Sequence, residues 1–288
     1  MNKKIRVAAM QYALQSFNAW QEYVHHYTHL VEQIKSQEVD LLLLPEYAGL
    51  ELTDMTRGVE TVFAQIQTHL EDYIALFAQL AMRHHIYIVP GTLPVALDNG
   101  QFVNRAYFFT PQGEYFFQDK IMLTPDEKNV QLLQAGDEIK VFDTRFGKMG
   151  IAICYDSEFP SLVQQMTLRG AQIILVPSCT DTMTGFYRVH LSCRARALEN
   201  QCYVVNAYLI RQGPWCGEMS EHVGAAGVFT PVDQDFPQDG ILSLGEMSQP
   251  QAVVEELDLA KISFVREHGD VRNFHDMQAL GLHRALRG

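Results

Sequence analysis

The sequence predicts an α/β fold of one domain, built on sheets that are not purely parallel and are covered by helices on their outer faces. Three observations carry this. Apolar runs of strand length alternate with segments whose apolar residues recur every three or four positions. Two aromatic runs in the middle of the chain flank a Pro/Gly turn, which predicts a hairpin rather than another parallel crossover. A chain of 288 residues that is 47% hydrophobic and 19% charged can bury a large core.

The elements follow in order. IRVAAMQ at 5–11 is a compact apolar run and predicts the first strand. Trp20, Val24, Tyr27, Val31 and Ile34 then mark an amphipathic helix. VDLLLLPE at 39–46 is apolar at successive positions, as in a strand buried on both faces. Phe63, Ile66, Leu70, Ile74, Phe77 and Ala81 lie on one side of a second helix over 62–84, and IYIVPGT at 86–92 predicts the next strand. RAYFFT and EYFFQDK form the hairpin at 105–120, and IKVFDT and KMGIAIC are two strands joined by RFG. Helix and strand then alternate over 158–169, 171–177, 187–200 and 202–208. VGAAGVFTP and QAVVEELDL read as late strands, and 259–288 as a mostly polar tail of helical character; 211–250 is the least readable stretch.

A net charge of −12 makes nucleic acid and anionic membrane surfaces poor partners. No run approaches the roughly 18 apolar residues of a membrane span. The N-terminal stretch lacks a long apolar segment with a cleavage site, so the expected location is the cytoplasm. Five cysteines at uneven spacing, with no CxxC pair, argue against a disulfide framework or a structural zinc site.

Three apolar runs end in chemistry: LLLLPE in Glu46, YFFQDK in Lys120, and IAICYD in Cys154. Ligands bind outside the carboxyl ends of strands in open α/β sheets, so the three groups can converge on one pocket. A carboxylate within reach takes the thiol proton during attack. A lysine beside them favours both the thiolate and an oxyanion, so Cys154 is expected to be the most acidic of the five thiols. The N–H of Tyr155 is a second candidate oxyanion donor. Singly, each residue has a bland alternative: a buried inert thiol, a loop carboxylate after Pro45, a solvated hairpin end. The rivals are Cys179 as nucleophile, and a cysteine–histidine pair with His190 or His222 as base. The adjacent pairs His25–His26 and His84–His85 suit chelation badly, and no metal is expected.

The motifs are specific. LLLLPEYAG, FFQDKIMLTPDE and GKMGIAICYDSEFP resemble, in order and separation, the glutamate, lysine and cysteine motifs of the nitrilase (carbon–nitrogen hydrolase) superfamily, and RARALENQCYVVNA resembles its downstream stretch. The resemblance spans about residues 4–259, leaving 260–288 as a tail. It implies a four-layer α-β-β-α sandwich and a catalytic set of Glu46, Lys120 and Cys154. A second glutamate orients the lysine in many members; Glu127 is the best match, with Asp126 and Glu138 as competitors. By analogy the loop holding Ser178, Cys179, Thr180 and Asp181 borders the pocket, against the plain alternative of a capping loop.

The implied reaction is cleavage of a non-peptide carbon–nitrogen bond in a small linear amide or N-carbamoyl compound, through a thioester and without a cofactor. Acyl transfer, nitrile hydrolysis and an idle regulatory protein stay open, and a homodimer or higher homo-oligomer is expected. Two departures stand out: Glu158 where many relatives have arginine, and Met122 where they have histidine. Glu158 fits a cap at a helix N-terminus as well as a contact with substrate.

Overall fold

The computed structural model of the chain describes residues 4–279. The first half runs β1 (Lys4–Tyr12), α1 (Trp20–Lys35), β2 (Leu41–Leu43), α2 (Val59–His84), β3 (Tyr87–Val89), β4 (Thr92–Ala96), β5 (Phe102–Phe109), β6 (Tyr115–Asp119) and the short α3 (Pro125–Asn129). The second half runs β7 (Val141–Asp143), β8 (Lys148–Ile151), α4 (Pro160–Leu168), β9 (Ala171–Ser178), α5 (Met183–Asn200), β10 (Tyr203–Leu209), β11 (Arg211–Trp215), β12 (Glu218–His222), β13 (Gly227–Phe229), β14 (Ile241–Leu244), β15 (Gln251–Asp258), α6 (Leu259–His268) and α7 (Asn273–Ala279).

The strands form an α-β-β-α sandwich, and side-chain alternation on β1 shows how. Ala8, Met10 and Tyr12 pack with Tyr23, Tyr27 and Val31 of α1 and Phe77 of α2. Ile5, Val7 and Ala9, on the opposite face, join a core with Ile151, Ile173 and Val204 of the other sheet. One sheet centres on β1, which pairs in parallel with β2 and antiparallel with β15. The other centres on β9 and β10, parallel to each other and extended by β8. The two meet at one corner, where Gln11 and Tyr12 pair with Tyr208 and Leu209. With both faces of β1 in contact with apolar layers, a period-2 slip would bury no less apolar surface; register is held by the ladders on both sides.

The apolar run at 86–92 is two strands, not one. The chain breaks at Gly91, whose φ of +80° is the left-handed region. A side chain there would stand 2.1 Å from the Pro45 carbonyl oxygen, so only glycine lets the segment carrying Glu46 cross behind it. α3 lies in a stretch where the sequence predicts no element, and the β11–β12 hairpin in the least readable stretch.

The polar tail is less accessory than its composition suggests. Buried Arg266 on α6 donates to the carbonyls of Ala171, Asn200 and Gln201 and stacks 3.9 Å over the Phe274 ring of α7. It thereby fills the unsatisfied carbonyls at the end of α5 with a cation, where the helix dipole favours one. Residues 280–288 lie outside the described residues.

Another carboxylate is buried shortly after Glu46 in the chain. Glu51, in the short helical turn Ala48–Leu52, accepts from Tyr27 Oη and the Gln15 N–H, both at 2.5 Å, and from Tyr12 Oη at 3.2 Å. Burial pushes its pKa from 4.5 up to about 8, against the pull of those three donors. A carboxyl raised on folding stabilises fully below 4.5 and loses that contribution as pH climbs toward 8. Glu51→Gln keeps an acceptor and cannot ionise. Its melting temperature should therefore fall less than that of the parent between pH 5 and pH 8.5; equal slopes would show that Glu51 does not govern this window.

Candidate active site

Each of the three predicted chemical groups stands just past a strand end. Glu46 follows β2 and is 1% exposed, and Lys120 follows β6 and is 2% exposed. Lys120 Nζ donates to Glu46 Oε1 at 2.7 Å and to Glu127 Oε1 at 2.8 Å, so a single cation is shared by two buried carboxylates. Such a pair costs several kcal/mol of desolvation per ion and persists only with its hydrogen bonds filled. They are filled here. Asn104 Nδ2 donates to Glu46 at 2.9 Å, the Cys179 N–H to the other Glu46 oxygen at 3.0 Å, and Tyr47 Oη to Glu127 at 2.6 Å.

Glu127 is held by the local sequence. Thr124-Pro125-Asp126-Glu127 forms a capping box with proline in the first turn of α3: Thr124 N–H donates to Glu127 Oε2 at 2.9 Å, and Glu127 N–H to Thr124 Oγ1 at 3.2 Å. The competitors are placed elsewhere. Asp126 is exposed, and the Glu138 side chain, 69% exposed, pairs with Lys140 at 3.7 Å.

Cys154 opens a helical turn, Cys154–Glu158, with φ at +46°, a left-handed conformation unusual for a residue with a side chain. Three contacts hold it there. Ser157 Oγ donates to the Cys154 carbonyl at 2.6 Å. The buried Asp156 carboxylate accepts from Ile153 N–H at 3.1 Å, and it also accepts from Met122 N–H at 2.7 Å. Asp156 thus ties the turn bearing the thiol to the segment just after Lys120. Burial, opposed by those donors and by Lys120, brings its pKa up to about 7.

The thiol contradicts the expected acidity. Burial first, and the Glu46 carboxylate second, push the Cys154 pKa well above its ordinary value despite Lys120. The resting sulfur is a thiol: burial disfavours the thiolate, and the lysine charge that would favour it is shared with two carboxylates. Glu46 is raised, by burial first and Glu127 next, with Lys120 opposing. Burial also pushes Glu127 up, but Lys120 and the donors on it outweigh that and leave it lowered. Lys120 is held charged by the two glutamates against its own burial.

The loop after β9 contributes mainly through its backbone. Cys154 Sγ lies 3.5 Å from the Cys179 carbonyl oxygen, and the Cys179 N–H is the donor to Glu46. Ser178 Oγ is taken up in the sheet by Asn206 Nδ2 at 3.0 Å, and Thr180 Oγ1 donates to the Val223 carbonyl at 2.6 Å. Asp181 is exposed. Tyr155 packs its ring edge-on to Phe159; its N–H lies in the first turn of the short helix, where donors have no intrahelical acceptor. Glu158 pairs with Arg188 of α5 at 3.5 Å.

Neither histidine proposed as a base partners Cys154. His190 packs against Phe186 and Phe229, while His222 Nδ1 lies 3.5 Å from the sulfur of Cys179. Among the described residues no group of three or more His, Cys, Asp or Glu is placed to hold a metal ion. Sequence reasoning missed Tyr47, Asn104, Asp156, Trp215 and the placement of His222. Asn104, an amide inside the aromatic strand FVNRAYFF, is the one with a signal: asparagine is disfavoured in strands unless its amide has partners.

A family model described as carbon-nitrogen hydrolase matches residues 6–232. The chain is 32% identical over 274 residues to the probable hydrolase YhcX of Bacillus subtilis (strain 168), covering 94% of this chain and 53% of that protein, so it spans about half of that relative's length. It is 30% identical over 207 residues to omega-amidase NIT2-B of Xenopus laevis, covering 68% of this chain and 70% of that protein. In fold it is similar to Saccharomyces cerevisiae Nit3, a member of branch 10 of the nitrilase superfamily, with a TM-score of 0.75, 24% identity and coverage of 92% and 93% of the two chains. It is similar also to the Nesterenkonia AN1 amidase of that superfamily, with a TM-score of 0.75, 22% identity and coverage of 98% and 97%.

Proposed function

From the premise that the chain belongs to the carbon–nitrogen hydrolase family, we propose that it is an amidase-like hydrolase that cleaves a small linear amide or N-carbamoyl compound through a thioester on Cys154. One observation carries the reading. The Lys120 ammonium is clamped between Glu46 and Glu127, and the Cys179 backbone joins Glu46 on one side to the Cys154 thiol on the other.

Because the thiol is protonated at rest, attack and proton transfer occur together. Cys154 Sγ adds to the carbonyl carbon as its proton passes to Glu46, whose raised pKa makes it a better base than an ordinary carboxylate. Lys120 and the Tyr155 N–H stabilise the oxyanion. Collapse expels the amine, which takes the proton from Glu46. Glu46 then removes a proton from water attacking the thioester, and the acid leaves with the thiol restored. Glu127 keeps Lys120 charged and aimed throughout. Amide is favoured over nitrile by the similarity to omega-amidase NIT2-B. A screen of simple amides, ω-amides, carbamoyl amines and nitriles, reading ammonia release, tests this. Rapidly quenched enzyme should carry one acyl mass on the peptide containing Cys154; turnover with no such adduct would remove the thioester.

The assembly we propose is a homodimer through α5. Met183, Tyr187, Leu191 and Leu198 fall on one outer face of that helix and are 43%, 52%, 55% and 43% exposed, while its inner face supports the Cys154 turn through Arg196 and the Ser157 carbonyl at 3.2 Å. Tyr187→Glu with Leu191→Glu should convert a dimer to a monomer in sedimentation velocity; a parent that sediments as a monomer would refute it. The proposed compartment is the reducing cytoplasm, in keeping with five free cysteines.

A further inference from the structure

The β11–β12 hairpin, which no sequence signal announces, packs beside the site. Trp215 meets Tyr47 edge-on at 5.3 Å between ring centroids, and Tyr47 holds Glu127. On its other side Trp215 meets His222 at 4.7 Å, and His222 Nδ1 faces the Cys179 sulfur at 3.5 Å. Since Cys179 is bonded to Glu46 through its N–H, the contacts run in a closed circuit that passes through Glu46, Lys120 and Glu127.

His222 is fixed within that circuit. The next residue, Val223, exchanges two hydrogen bonds with Thr180, at 2.9 and 2.6 Å. Gly224 then lies so close over the Tyr208 ring that a side chain on it would stand 2.5 Å from Tyr208 Cγ. His222 is 5% exposed, yet its Nε2 is buried without a hydrogen-bond partner among the described residues. An orphaned buried ring nitrogen costs free energy that a bound group would return.

Its protonation follows from its neighbours. Burial pushes the Cys179 thiol well above its ordinary pKa, so Cys179 keeps its proton; imidazole nitrogen accepts better than sulfur does, which favours the thiol as donor to Nδ1 across the 3.5 Å contact. Burial lowers His222 from 6.5 to about 4, so the ring is neutral; with Nδ1 accepting from the thiol, its one proton falls on Nε2. Nε2 is therefore an uncharged donor seeking an acceptor. The groups nearest the thiol carry two carboxylates and one ammonium, a net negative charge that disfavours a second anion.

We propose that His222 is a specificity-determining residue whose Nε2–H binds an uncharged oxygen acceptor on the acyl chain of the substrate, so that the enzyme prefers amides bearing a second carbonyl over plain alkyl amides and over ω-amido carboxylates. This rests on the amidase reading above.

Three probes of similar length separate the cases: succinamide, pentanamide and succinamate. The parent should hydrolyse succinamide with a kcat/KM at least tenfold above that of either other probe. His222→Phe should bring the succinamide-to-pentanamide ratio to within about threefold of unity, mostly through KM. His222→Gln, whose amide reaches the Nε2 position, should retain more of the ratio than His222→Asn, whose amide reaches only Nδ1. A parent that shows no preference for succinamide, or prefers succinamate, overturns the proposal whether or not any variant folds. So does a ratio unchanged in His222→Phe. Loss in the glutamine variant as deep as in phenylalanine also overturns it. Failure of the parent to hydrolyse any amide, including those of the wider screen, overturns the amidase reading and this inference with it. Cys154-dependent turnover without discrimination overturns this inference alone.

Discussion

Cys154→Ala should abolish amide turnover, lowering the initial rate by at least ~10³-fold, while the fold survives. The substitution deletes one sulfur from a turn whose shape is set by other atoms: Ser157 on the Cys154 carbonyl, and Asp156 on the Ile153 and Met122 N–H groups. Alanine meets the same left-handed backbone that cysteine already tolerates, so the expected loss of stability is about 1 kcal/mol. Ammonia release measured beside a thermal melt separates the two effects. The rival nucleophile is tested by the same comparison. Cys179 meets Glu46 and Cys154 through its backbone, so Cys179→Ala should lose far less activity than Cys154→Ala. Full activity in Cys154→Ala would end the assignment.

The second large effect belongs to Lys120. Lys120→Met leaves Glu46 and Glu127 buried with no cation between them, and removing one partner of a buried ion pair costs about 3–5 kcal/mol. Activity should fall by ~10²–10³, since a developing oxyanion loses its charged donor. A pH signature distinguishes this from simple loss of packing. Without Lys120 both carboxyls should titrate above their unfolded value of 4.5, binding more protons folded than unfolded. The stability they contribute is complete below 4.5 and drains away as pH rises. The difference in melting temperature between parent and variant should therefore widen from pH 5 to pH 8. A constant difference would mean that the lysine contributes only its hydrocarbon stem.

Much of the fold was legible in the chain because apolar periodicity is a local property. β1 appears at Lys4–Tyr12 against a run read at 5–11, and α2 at Val59–His84 against 62–84. The run at 86–92 misled because Val89 and Thr92 both look like strand residues, while the break between them is imposed by the Pro45 carbonyl, 46 positions away. α3 carried its own signal in Thr124-Pro125-Asp126-Glu127, a capping box that local chemistry alone explains.

By itself, then, the sequence determined where most of the strands and helices lie, which chemical groups stand at the ends of three of them, and, through three ordered motifs, the family. Those are matters of neighbours along the chain. Only the tertiary structure decided the protonation of the site, because a pKa depends on what surrounds a group in space: one lysine serves two carboxylates, and the Cys154 thiol keeps its proton. It also decided that Glu127 and not Glu138 pairs with Lys120, and the placement of Trp215 and His222 beside the site, since both depend on which distant segments burial brings together.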